Sequence, residues 1–189
     1  TLLPALERGE AEDGQGAQGE YVLVTAGYAV IRDGVLQGFT DETAAFGADL
    51  LRSMGKGQIL ELSGPDRGYT ALKITGVKTT FRTVFEGDTL TGLRVACALE
   101  TQAAELSGAA ARLGEEDRLA LEGELSRMAG EAIEAAMEQF QAFRADAIHL
   151  LDRVALAVPW KQAVLEEQWR EVFPNLTLEV KVDATVARS

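Results

Sequence analysis

Few residues in this chain combine the types and spacing that chemistry needs. His149 is the only histidine, and it stands beside Leu150 and Leu151 in a stretch of helical period. No serine or cysteine nearby is spaced to be its nucleophile, and a triad needs nucleophile, base and orienting carboxylate within hydrogen-bond reach. The expectation for His149 is a partly buried, satisfied side chain. Cys97 is the only cysteine and falls on the apolar phase of a strand pattern, where cysteine behaves as a small hydrophobe. One cysteine also excludes an intrachain disulfide framework and a cysteine-built zinc site. The carboxylate groups Asp41-Glu42 and Glu115-Glu116-Asp117 open predicted helices, where the helix dipole accounts for them without acid–base catalysis. The stretch "GKGQ" lacks both the glycine spacing and the Lys-Ser/Thr ending of a phosphate-binding loop. These residues offer no catalytic, cofactor-binding or metal-binding set, and the chain reads as a non-enzyme.

Aromatic residues are the next candidates, as stacking platforms. Trp160 and Trp169 are the only tryptophans, nine residues apart on a helix predicted to open at Pro159. Nine residues are half a turn out of phase. Leu165, Trp169, Val172 and Phe173 then share one face, and Trp160 and Val164 the other. Two rings on opposite faces make no platform. Trp169 and Phe173 are expected to pack on a sheet, Trp160 against the preceding helices, and Pro174 to end the helix.

Charge narrows the partners. Thirty acidic residues against 18 Lys and Arg give a net charge of −12. Nucleic acid and direct adsorption to an anionic leaflet both call for basic patches, so both are disfavoured. Charge interrupts every apolar run well before eighteen residues, so no segment reads as a transmembrane helix.

The positioning elements follow from period and turn chemistry. Residues 1–19 are acidic and glycine-rich and read as a linker or arm, with the ordered domain running over 20–189. Asp33-Gly34 between two β-branched runs predicts a tight hairpin. A helix over 40–55 takes Thr40 or Asp41 as its cap, Phe46, Leu50, Leu51 and Met54 as its apolar stripe, and Gly55 as its stop. Gly64-Pro65-Asp66-Arg67-Gly68 reads as a turn between strands. Apolar residues change phase between Leu72/Ile74 and Val77/Phe81/Phe85, which places a bulge or bend at Gly76. Leu93, Val95, Cys97 and Leu99 share one face of the next strand. A long helix spans 115 to about 148, with an acidic face opposite Leu121, Leu125 and Phe140. A further helix runs before Pro159, and 176–186 alternates as a strand with one buried face. Together these give an α+β domain: a mainly antiparallel sheet of about five or six strands, with a long helix and shorter helices packed on one face.

Two blocks carry a resemblance. In 27–60, Gly27-Tyr28-Ala29-Val30-Ile31 leads through a charged turn to Leu36-Gln37-Gly38 and then to Glu42-Thr43. Near the C-terminus stand Trp160, Trp169, Phe173, Pro174, Leu176, Leu178 and Val180. In this order, flanking a long helix, they resemble the C-terminal domain of the Ger(x)C spore-germination lipoproteins, the C subunits of nutrient germinant receptors. Ile31 stands where that family usually has an aromatic residue, the Gly-Lys segment after the first helix is shortened, and a final glycine is absent.

The resemblance implies a non-enzymatic subunit domain, the last of three, that acts in spore germination through protein–protein contacts with the receptor's membrane-embedded A and B subunits. It implies no nucleic-acid partner and no cofactor. It also implies a place on the outer face of the spore inner membrane, reached through a lipid anchor upstream. A chain opening at Thr1, without Met or signal peptide, reads as a fragment of such a protein. The alternative is a stand-alone module binding a small nutrient molecule, which predicts an apolar pocket with a few converging polar groups.

Overall fold

The computed structural model describes residues 1–10, 21–63, 69–106 and 114–187. Seven strands and four α-helices follow in the order β1 (Leu2–Glu10), β2 (Tyr21–Arg32), β3 (Val35–Phe39), α1 (Glu42–Leu51), β4 (Ile59–Ser63), β5 (Tyr69–Glu86), β6 (Thr89–Leu106), α2 (Glu115–Ala142), α3 (Leu150–Ala157), α4 (Gln162–Val172) and β7 (Thr177–Ala187). The class is α+β as expected, but the strands form two sheets: β1-β2-β3, and β4-β5-β6-β7. All pairs are antiparallel except β6 and β7, which run parallel. Parallel neighbours need a crossover, and α2 to α4 supply it.

The expected arm is different at its start. Leu2–Glu10 is the edge strand of the first sheet, paired along β2 from Leu2↔Val30 to Glu10↔Tyr21. Pro4 lacks an N–H to give, which an edge strand tolerates. Residues 11–20 and the 64–68 turn lie outside the described residues. The register slips between Pro4 and Leu6, opposite Gly27, whose φ of +83° fits a bulge. A Cβ on Gly27 would stand 2.7 Å from Thr40 Oγ1 and 2.9 Å from Thr40 O. Glycine is required there twice over, by conformation and by the close approach of the chain leading into α1.

The Asp33-Gly34 hairpin forms as the sequence predicts, both residues with positive φ. So does the bulge near Gly76, where pairing passes from Ile74↔Thr101 to Gly76↔Glu100. Leu93, Val95, Cys97 and Leu99 are buried on one face of β6.

Asp41 caps α1, its Oδ1 accepting from Ala44 N at 2.8 Å. The helix ends earlier than Gly55. Ser53 takes the left-handed conformation, with Ser53 N bonded to Leu50 O and Met54 N to Asp49 O, the paired bonds of a Schellman stop. Met54 consequently lies past the helix and is exposed. The long helix α2 stops in the same way, at Ala142 rather than near 148. Arg144 is left-handed, and Ala145 N bonds to Phe140 O.

The core joins the inner face of the second sheet to α1, α2, α3 and α4, with Leu50, Leu72, Leu99, Leu125, Ile133, Phe140 and Phe173 inside it. Helices α1 and α2 approach so closely at Gly47 that a Cβ there would overlap the Ala132 carbonyl, at 1.8 Å.

A groove between the first sheet and helix 1

Two of the concavities among the described residues carry charged side chains. The larger, about 550 Å³, runs between β1–β2 and α1 and reaches the start of β4. Pro4, Thr25, Gly27 and Tyr28 form its sheet side, Glu42, Ala45, Phe46 and Asp49 its helix side, and Gln58 and Ile59 close one end. Asp49 is the unusual member. It stands on the buried face of α1 between Ala48 and Leu50 and is only 8% exposed. Its Oδ1 accepts a 2.5 Å hydrogen bond from the Tyr28 hydroxyl and its Oδ2 a 2.9 Å bond from Gln58 Nε2. Burial, and then the bond to Asp49, push the Tyr28 pKa up to about 12. The hydroxyl therefore remains a donor through the physiological range. Arg52 lies 6.0 Å from the Tyr28 ring centre, over its face.

The smaller cleft, about 240 Å³, is lined by residues that include Arg32, Asp33, Arg144, Asp146, Trp169 and Arg170. Its polar groups are largely occupied in holding the fold. Asp146 accepts from Leu150 N (2.7 Å), Leu151 N (2.8 Å) and Trp169 Nε1 (3.1 Å), capping α3 and fixing the indole together. Arg170 pairs with Asp33 at 3.3 Å, both largely exposed.

The residues singled out in the sequence fall in several places. Gly27 and Glu42 line the groove. Gly38 lies under the Phe143 ring, whose Cζ would be 2.6 Å from an added Cβ. Trp169 and Phe173 are buried in the core with ring centres 5.7 Å apart. Pro174 sits in a 3-10 turn after α4 (Phe173–Asn175).

Trp160 does not pack against the preceding helices and is 77% exposed. The chain leaves α3 through a 3-10 turn (Pro159–Lys161), and the face shared by Trp160 and Val164 meets solvent instead of those helices. Lys161 points inward instead, bonding Asp88 at 2.8 Å and lying 4.5 Å from the Phe85 ring centre. That contact holds the Asp88 carboxyl below the usual carboxylate range.

His149 is also corrected. It is a surface residue at the start of α3 with φ +56°, 3.8 Å from Asp152. It has no side-chain capping bond, because Asp146 takes that role. Cys97 is buried, which pushes its thiol pKa up. Among the described residues no three His, Cys, Asp or Glu side chains gather as a metal site would need, and no helix is long and apolar enough to cross a membrane.

Sequence reading passed over Asp49, Tyr28 and Gln58 as a group. The one available signal was a charged residue inside the apolar run Gly47-Ala48-Asp49-Leu50-Leu51, since a buried carboxylate needs partners.

Two sheets and a long crossover helix define an α+β domain. The chain belongs to the family described as spore germination B3/GerAC like, C-terminal, which matches residues 26–189. A comparison with curated proteins returns no match. Among solved structures, the crystal structure of the GerBC protein is similar over 99% of this chain and 56% of that one, with a TM-score of 0.75 and 14% identity. The chain thus spans little more than half of that protein, and the likeness is one of fold.

Proposed function

We propose that this domain is the C-terminal part of the C subunit of a spore nutrient germinant receptor. It acts without catalysis of its own, by docking on the receptor's A and B subunits. In the full-length protein a lipid anchor would hold it at the outer face of the spore inner membrane. Family membership supports the setting, and one observation supports docking as the mode of action. Leu156, Trp160 and Val164, four residues apart, are 82%, 77% and 52% exposed at the α3–α4 corner. Large apolar side chains gathered on a surface mark interaction sites, and tryptophan is among the residues that dominate interface energies.

Trp160→Ser and Leu156→Ser in the full-length protein test this, with co-isolation of the A and B subunits from spores as the readout. Loss of the indole is expected to cost about 2 kcal/mol of association, about thirtyfold in affinity. Undiminished co-isolation of both variants would remove the ridge from the interface. Full-length protein that fails to co-isolate with either subunit even as wild type would defeat the receptor reading itself.

A further inference from the structure

We propose that the groove between the first sheet and α1 binds a small organic cation, a protonated amine carrying an apolar body. The charges that line it are of one sign. Glu42 and Asp49 contribute carboxylates, and no Lys, Arg or His is among its lining residues. Asp49 is taken out of water without a direct ion pair. Its two hydrogen bonds come from neutral donors, Tyr28 and Gln58, and the ion pairs among the described residues do not include it. Arg52, the cation closest in sequence, is engaged by the Tyr28 ring and hydroxyl and reaches Asp49 only through that hydroxyl.

A desolvated carboxylate is costly until a positive charge joins it. An ionised carboxylate has about four acceptor positions, and the two bonds to Asp49 leave room for an ammonium donor. The remaining walls specify the rest of the ligand. Phe46 adds an aromatic ring to the lining, a surface of the kind that attracts ammonium groups, and Pro4 and Ile59 offer aliphatic surface. Ile59 is largely exposed, so a ligand body laid along it would remove apolar area from water. A volume of about 550 Å³ suits a small molecule. A carboxylate ligand would meet like charge and be rejected.

The site stands independently of the docking ridge, which lies on other elements, so failure of one leaves the other intact. The test is an NMR titration of the isotope-labelled domain with 2-phenylethylamine, 2-phenylethanol and phenylacetate at neutral pH. These probes share an aromatic body and differ chiefly in charge. The amine is expected to give saturable shifts at the amides of Tyr28, Ala45, Phe46 and Asp49. The alcohol should bind about tenfold more weakly or less, because the charge-assisted bond is lost, and phenylacetate should give no shifts there. Asp49→Asn is expected to abolish the preference for amine over alcohol. If that variant does not fold, the wild-type comparison still decides, and Glu42→Gln at the exposed rim should weaken the amine alone. Equal affinity for amine and alcohol, or shifts that never saturate or that map elsewhere, would overturn the proposal.

Discussion

Tyr28 and Asp49 meet across 21 residues of sequence, and their 2.5 Å bond joins the first sheet to α1. The consequence is a specific alkaline sensitivity. Tyr28 has its pKa raised from 10.0 to about 12 in the folded protein. A group with a raised folded pKa contributes stability that is complete below its unfolded value and lost as pH rises through the folded one. The wild type should therefore lose stability between about pH 10 and 12 more steeply than Tyr28→Phe, which has no hydroxyl to ionise. Thermal unfolding of both proteins across that window is the check, and parallel profiles would refute the assignment. Asp146 makes a similar case with three donors instead of two. Asp146→Ala orphans two backbone N–H groups and the indole N–H, and is expected to cost about 2–3 kcal/mol. Chemical denaturation measures it, and the emission of Trp169 should shift with it. Neither residue was visible as a partner in the sequence, because hydrogen bonds between distant segments leave no periodic trace.

At the scale of elements, α1 is tied on all sides. Thr79 Oγ1 donates to Leu50 O at 2.6 Å and Arg153 Nη1 to Leu51 O at 2.9 Å. The Arg153 bond engages one of the last carbonyls of the helix, and the Thr79 bond adds to the one Leu50 O accepts from Ser53 N. Its packing on α2 depends on Gly47, where a methyl group would overlap the Ala132 carbonyl. Gly47→Ala should force the helices apart and cost about 2–3 kcal/mol despite its gain in helix propensity, again read by denaturation. A stabilising result would mean that the helices can separate freely.

The edge strand β7 is managed by α2. Ser126 Oγ accepts from Ala184 N, and Glu122 Oε1 from Val186 N, which blunts an edge that could otherwise recruit another strand. Element types and most turns were legible beforehand, because period, capping residues and Asp-Gly chemistry are local. The Ser53 and Arg144 stops were not, since neither is the glycine that usually takes the left-handed position.

Across the whole molecule, charged and apolar side chains both reach the surface. The exposed side of α2 carries an Arg127–Glu131 pair at 2.8 Å, a solvated surface of small energetic weight. The α3–α4 corner carries Leu156, Trp160 and Val164 in the open. Substituting Trp160 with Ser should leave the melting temperature of the isolated domain within about a degree, since exposed sites away from packing change stability little, while it weakens association of the full-length protein. A large fall in melting temperature would show instead that Trp160 holds the fold together.

The sequence by itself determined the class of the domain, its helices and most of its strands, the Gly76 bulge, the Asp33-Gly34 hairpin and the family resemblance. All of these rest on local pattern or on ordered motifs. Only the tertiary structure decided the division into two sheets and the recruitment of Leu2–Glu10 as an edge strand. It alone left the Trp160 face in solvent instead of against the preceding helices. The physical reason is common to all three. Strand partners, and what covers the face of a helix, are settled by contacts between segments far apart in sequence.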